Sequence, residues 1–217
     1  LAGERSYSDI GRDQDLLAEV IPLAALRPVI AVRAGNPHAI AAPADLARPG
    51  LRLALANPDA AAVGKLARAA LERHGLWDRV ADAVRERGVF KPTVNDIAND
   101  IRIGTVDAGI IWDATARQFP DLQIAAGFDD AADLVSEVAV AVLRGCSRPA
   151  AALHLARYLA APEKGQPAFS QHGFAPLPND PWADVPEIVL LSGGGNRPAI
   201  EQTLREFEAR EGCRVLR

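Results

Sequence analysis

The chain has 217 residues, of which 49% are apolar, 24% charged and 5% aromatic, with a formal net charge of -4. That length holds one large domain or two small ones, and the acidic balance excludes a protein whose main task is to coat DNA or RNA, so no nucleic-acid partner is expected. No apolar run approaches the roughly 20 residues that cross a bilayer, and two cysteines, Cys146 and Cys213, are too few for a zinc or iron–sulfur centre but leave a single bridge open.

Helical periods alternate with short apolar runs along the chain, the pattern of helices layered on a mostly parallel sheet, so the fold class is α/β. Ile10 to Val20 reads as a helix broken by Pro22, and Arg27 to Arg33 (RPVIAVR) as a strand rich in β-branched residues. Asn36-Pro37 closes that strand. Pro43 to Leu46 opens a short helix that Arg48-Pro49-Gly50 stops, and Leu51 to Ala56 is the next strand. Asn57-Pro58-Asp59 then turns into an Ala-rich helix, with Val63, Leu66, Ala70 and Leu71 on one face, that ends at Gly75. A second helix starts at Leu76-Trp77-Asp78, and Val89-Phe90 is a short strand. Pro92-Thr93 leads into Val94 to Gly104, whose apolar stripe is Val94, Ile97 and Ile101.

Asp107 to Trp112 (DAGIIW) reads as a buried strand and Ser136 to Leu143 as another. Pro149 to Ala161 is a helix with Leu153, Ala156, Tyr158 and Leu159 facing inward, ended by Pro162. Prolines cluster from His172 to Pro186, the composition of a linker or an irregular wrap-around segment. After it come a strand at Ile188 to Leu191, the run Gly193-Gly194-Gly195 and a helix from Pro198 to Arg210. The chain begins at Leu1, holds no methionine, and both of its ends read as pieces of strand. It is therefore expected to be an internal fragment, and the last segment looks like the opening strand, loop and helix of another unit, which leaves an internal repeat open.

Two strand-to-helix turns, Asn57 to Gly64 and Thr93 to Asp96, bring helix N-termini to strand ends. The unpaired N–H groups of a first turn and the macrodipole suit an anion, and open α/β sheets bind ligands at such ends. Asp59, Asn95 and Asp96 are as readily caps for their own helices. Trp112-Asp113 ends the DAGIIW strand at its carboxyl end. The indole N–H is a donor that suits an anion, whereas the Asp113 carboxylate repels one unless it is turned away or paired.

Ser192, Gly193, Gly194 and Gly195 follow an apolar strand like a phosphate-cradling loop, without the Lys and Ser/Thr of a nucleotide site. His38, His74, His154 and His172 are scattered, with no metal spacing among them. No GxSxG elbow, HExxH pair or activated Cys–His context is present, so neither enzymatic catalysis nor a metal or other cofactor is expected.

Four stretches together resemble a known family: RPVIAVRAGNP (Arg27 to Pro37), NPDAAAVGKLARAALERHGLWD (Asn57 to Asp78), VNDIANDIRIGTVDAGIIWDA (Val94 to Ala114) and AALHLARYLAAPEKGQPAFSQHGF (Ala151 to Phe174). They are similar to the periplasmic molybdate-binding proteins of ABC importers, which have the type II periplasmic-binding fold. The resemblance implies two α/β lobes joined by crossing strands, with a tetrahedral oxyanion, molybdate or tungstate, held between them by amides and helix N-termini. It also implies a membrane ABC permease as partner, a monomer, and a periplasmic or extracellular membrane-anchored location.

On this reading residues 1–178 form a solute-binding domain lacking its N-terminal part. Lobe 1 is a remnant of residues 1–26 and 137–178, and lobe 2 is 27–136. Residues 179–186 are a linker, and 187–217 begin a second repeat or replace the missing first strand and helix. By motif position, Val63 and Val94 are the amide donors, flanked by Ala62 and Asn95. Trp112 stands where the family closes its pocket with a Tyr, Asp113 lies beside it, and Gly3 ends a ligand-side strand. Ser192 to Gly195 form the equivalent loop of the second repeat, with Gly195 in place of the ligand-binding Ser. An effector-sensing domain of a transcription regulator, or a periplasmic binder of iron or another cation resting on Asp113, are the alternatives.

Overall fold

Residues 5–128, 134–177, 187–191, 197–211 and 213–216 are described by the computed structural model of the protein. Five strands form a mixed sheet: β2 (Pro28–Arg33), β3 (Leu53–Ala56), β4 (Val89–Lys91), β5 (Ala108–Trp112) and β6 (Leu122–Ala126), in the order β4-β3-β5-β2-β6. β4, β3 and β5 run parallel, while β2 lies antiparallel to both β5 and β6. Side chains alternate between two packed faces, as strands buried on both sides require. Ile30, Val32, Leu53, Leu55 and Ile110 face a cluster closed by Ala67, Ala70 and Leu71 of α2 (Ala62–Arg73) and by Val80 and Val84 of α3 (Trp77–Arg87). Ala31, Ala54, Ala56 and Ile111 face the other cluster, closed by Ile97, Ala98 and Ile101 of α4 (Val94–Ile103).

A second sheet pairs β1 (Leu17–Leu26) antiparallel with β7 (Ser136–Leu143). It is flanked by α1 (Arg5–Asp13), α6 (Pro149–Ala160) and α7 (Gln166–Gln171). The chain passes from β1 into β2 across the single residue Arg27, and from β6 back to β7 through residues 127–135. The cluster under α4 continues into this sheet through Leu23, Ala24, Leu26, Val138, Val142, Ala156 and Ala160. α5 (Asp113–Gln118) follows β5, and β8 (Glu187–Val189), α8 (Arg197–Glu211) and β9 (Arg214–Leu216) form a strand–helix–strand unit whose two strands run parallel.

Two local expectations are corrected. The helix expected at Ile10 to Val20 is instead α1, ending at Asp13, followed by β1 from Leu17. Tertiary pairing overrides the helical period here, because β1 buries Leu23 and Ala24 completely against the sheet. Pro22, which cannot donate to a ladder, is absorbed by a register shift between Pro22 and Ala24. Tyr158 was expected inward on α6 but is 50% exposed. The helix packs through Ala156 and Ala160, and position 158 lies about 200° around from 156 at 3.6 residues per turn.

Candidate functional site

The parallel order of β4, β3 and β5 brings three carboxyl ends to one edge of the sheet, and α4, α2 and α5 start there. The ends of the first two are locked together: Ala56 pairs with Lys91, and the Asn57 amide donates to the Lys91 carbonyl at 3.0 Å. The α2 turn is built from its own backbone. Asn57 accepts the Asp59 amide on its side chain at 2.9 Å and the Ala61 amide on its carbonyl at 2.9 Å. Asp59 therefore does not cap the helix as its spacing allowed; Ala61 takes that position and makes no side-chain cap bond. A capping residue there would spend its acceptor on the first-turn amides, whereas Ala61 leaves them uncovered.

Gly64 explains how closely α2 approaches the strand end. A Cβ at this position would lie 2.4 Å from the Asn57 carbonyl oxygen and 2.7 Å from that of Ala56. Val63 beside it is buried and joins the same apolar cluster as Trp112, and Ala62 and Val94 pack against that cluster. Ala62, Val63 and Val94 thus lie at the starts of α2 and α4 and Trp112 at the end of β5, on one sheet edge, and all four belong to or pack against one apolar cluster. Asn95 is exposed one residue further on.

α4 is capped by Thr93, whose hydroxyl oxygen accepts the Asp96 amide at 3.2 Å and donates to the Asp96 carboxylate at 2.7 Å. Sequence reading placed the cap on Asn95 or Asp96; the Thr-x-x-Asp spacing was the signal for a reciprocal pair. This arrangement uses the third amide of the helix. No protein acceptor takes the amides of Val94 and Asn95, or of Ala62 and Val63, among the described residues. One cation at this edge, Lys91, is already committed, its ammonium pairing with Asp100 at 2.9 Å, while the Arg27 side chain beside Asp113 is exposed. The edge offers a ligand uncovered amide N–H groups and two helix dipoles, which is chemistry for an anion small enough to receive several donors at once.

Trp112 ends β5 and is 9% exposed. Its indole N–H has no protein acceptor among the described residues. Asp113 is 7% exposed, and one carboxylate oxygen accepts the Arg27 amide at 3.1 Å and the Ala114 amide at 2.9 Å. The Asp113 amide donates back to the Arg27 carbonyl at 2.9 Å. The carboxylate is thus held by backbone amides of the first turn of α5 and of the strand crossing rather than left without partners. The role of Arg27 as partner had no signal in the sequence, since it acts through its backbone.

Gly3 and the loop Ser192, Gly193, Gly194, Gly195 lie outside the described residues. Cys146 and Cys213 are free thiols. His38 sits 3.4 Å from the Asp107 carboxylate and His154 2.9 Å from that of Glu211, both away from this edge. At the opposite, amino end of β5, Asp107 takes the Arg52 amide at 2.8 Å and the Arg52 guanidinium at 2.6 Å. Burial pushes its pKa up, but the bonds from Arg52 outweigh that and hold the carboxyl below its usual range.

The family model described as bacterial extracellular solute-binding protein matches residues 1–175. The molybdate-binding protein ModA of Mycobacterium tuberculosis H37Rv is 31% identical over 147 residues, which are 68% of this chain and 53% of that protein. The chain thus spans about half the length of the curated relatives it matches. Among solved structures, the Azotobacter vinelandii periplasmic molybdate-binding protein superposes with a TM-score of 0.66 at 19% identity, covering 82% of this chain and 77% of that one. Iron-bound HitA of Pseudomonas aeruginosa gives 0.62 at 18% identity, covering 81% and 68%. One fold is therefore named with an oxyanion in one case and a metal ion in another, and the choice of ligand rests on the site's own chemistry.

Proposed function

The chain belongs to the family of bacterial extracellular solute-binding proteins, and from that premise we propose that it captures a tetrahedral oxyanion, molybdate or tungstate, between two lobes and delivers it to the membrane permease of an ABC importer. The observation that carries this reading is the set of uncovered amides at the starts of α2 and α4, on adjacent parallel strand ends, with Lys91 neutralised by Asp100. A fully ionised oxyanion has only acceptors, and the uncovered amides of the two helix starts supply donors to it. The named ligand of the 31% identical relatives agrees with that chemistry.

In this reading the amides of Ala62, Val63, Val94 and Asn95 hold the anion. The Trp112 indole N–H supplies a further donor. Lobe 2 is residues 27–136, lobe 1 comprises 1–26 and 137–178, and closure of one lobe on the other reports loading to the permease. Binding then occurs outside the cytoplasm and by a single copy of the chain. Fixed donors discriminate by size and protonation state, since a ligand carrying a proton meets a donor where it needs an acceptor. The cation alternative rested on Asp113, one carboxylate oxygen of which is engaged by two amides. Among the described residues no three His, Cys, Asp or Glu side chains gather as a metal ion would need.

Isothermal titration of the full-length protein decides the matter. Tight binding of molybdate or tungstate is expected, with no comparable heat from calcium or iron. Silence with molybdate, tungstate and sulfate refutes the proposal.

A further inference from the structure

We infer that Asp113 is a positioning residue of the interlobe joint: its carboxylate clasps the β1–β2 crossing to the first turn of α5, and so sets how freely the two sheets move. The inference rests on the two-lobe reading above, although its first test needs no ligand.

The chain crosses from the β1–β7 sheet to the five-stranded sheet through one residue, Arg27. That residue is held at both backbone groups by Asp113, 86 positions away: its amide donates to the carboxylate at 3.1 Å and its carbonyl accepts the Asp113 amide at 2.9 Å. The same carboxylate oxygen accepts the Ala114 amide at 2.9 Å, so one buried atom joins the crossing to the helix that continues β5. α5 is tethered to the β1–β7 side a second time. The Gln118 side-chain amide donates to the His172 carbonyl at 3.3 Å, and Gly173 packs so closely that a Cβ there would meet Arg117 at 2.8 Å. Residues just beyond return to β1, where Ala25 and Ala175 bond in both directions. α5 is thus fastened at its start to the crossing and along its length to the segment that rejoins the other sheet, the position of a pivot.

A carboxylate is suited to this task because it accepts two amides at once and its bonds are charge-assisted. A residue that only filled space would have no need of an acceptor. Asn retains an acceptor oxygen at the same reach, whereas Ser retains one that serves only the adjacent Ala114 amide. The comparison of these two separates the crossing bond from the local helix start.

The test follows hydrogen exchange of the Arg27 amide in the full-length protein without ligand, in the parent and in Asp113→Asn and Asp113→Ser. In the parent this amide is expected to be protected to the same degree as that of Asp113. In the Ser variant its exchange should accelerate by roughly tenfold or more, while the Asn variant stays within about threefold of the parent. Small-angle scattering should show the Ser variant more extended than the parent and less compacted by saturating molybdate. Protection of Arg27 unchanged in the Ser variant overturns the clasp. If that variant does not fold, an Arg27 amide that exchanges in the parent as fast as an exposed one overturns it equally. A parent protein that protects Arg27 but takes up no molybdate upholds the clasp and refutes the oxyanion reading.

Discussion

Asp107 and Asp113 are both aspartates at the ends of β5, and their environments give them different work. Asp107 holds the amino end of the strand to Arg52 with bonds that favour its charged form, and its pKa is lowered despite burial. A carboxyl with a depressed folded-state pKa stabilises above its unfolded value, and that contribution disappears as pH falls through the folded value. The parent should therefore melt higher than Asp107→Asn at neutral pH, and the gap should close as pH drops below about 4, the ordinary aspartate range. Melting curves of the two proteins between pH 7 and pH 3 check this; a gap that widens on acidification contradicts it. Gly64 shows a backbone constraint of the same local kind. Gly64→Ala would drive a Cβ into the Asn57 and Ala56 carbonyls, with an expected cost of about 1–3 kcal/mol in urea unfolding. Because the displaced element is the start of α2, oxyanion affinity should fall in the same variant.

At the scale of elements, the site is a consequence of parallel strand order. Three parallel neighbours deliver helix starts to one edge, and their side chains matter less than the amides those starts leave uncovered. The donor at Val94 can be removed with little disturbance. Val94 is the first residue of α4, where proline is favoured, and Thr93 before it has the extended φ of -130 and ψ of 153 that proline requires. Val94→Pro should keep the fold and weaken molybdate binding by about 10- to 100-fold, the loss of one charge-assisted bond of roughly 1.5–3 kcal/mol. Titration beside circular dichroism of the same sample checks both halves of that statement. Much of the element pattern was legible from the residues: the Thr93 turn, the Gly75 stop and the DAGIIW strand all lie where spacing put them. β1 was misread because Leu, Ala and Val satisfy a helical period and a buried strand alike, and its partner β7 lies more than a hundred residues away.

For the whole molecule, the apolar cluster under α4 joins the five-stranded sheet to β1, β7 and α6. Under the two-lobe proposal, movement of one sheet against the other works against that cluster and the α5 tethers, and a ligand bound across the joint stabilises both. At a molybdate concentration 100 times its Kd, linkage adds about 2.7 kcal/mol, and the full-length protein should melt higher by roughly 5–10 °C. Sulfate at the same concentration separates recognition of molybdate from general tetrahedral-anion binding. An unchanged melting temperature with molybdate counts against the proposed ligand without touching the family assignment.

The residues alone carried the class of the fold and the two turns that leave amides bare, because these depend on short-range spacing: apolar period, caps, glycine and proline; Val63, Val94 and Trp112 were singled out by resemblance to a family. They also posed the difficulty of a carboxylate beside an anion site. The answer came from three dimensions, where Asp113 meets the backbone of Arg27 and the Lys91 charge meets Asp100. A backbone amide has no side-chain letter to announce it, so a partner that acts through its peptide group is invisible until folding brings the two segments together.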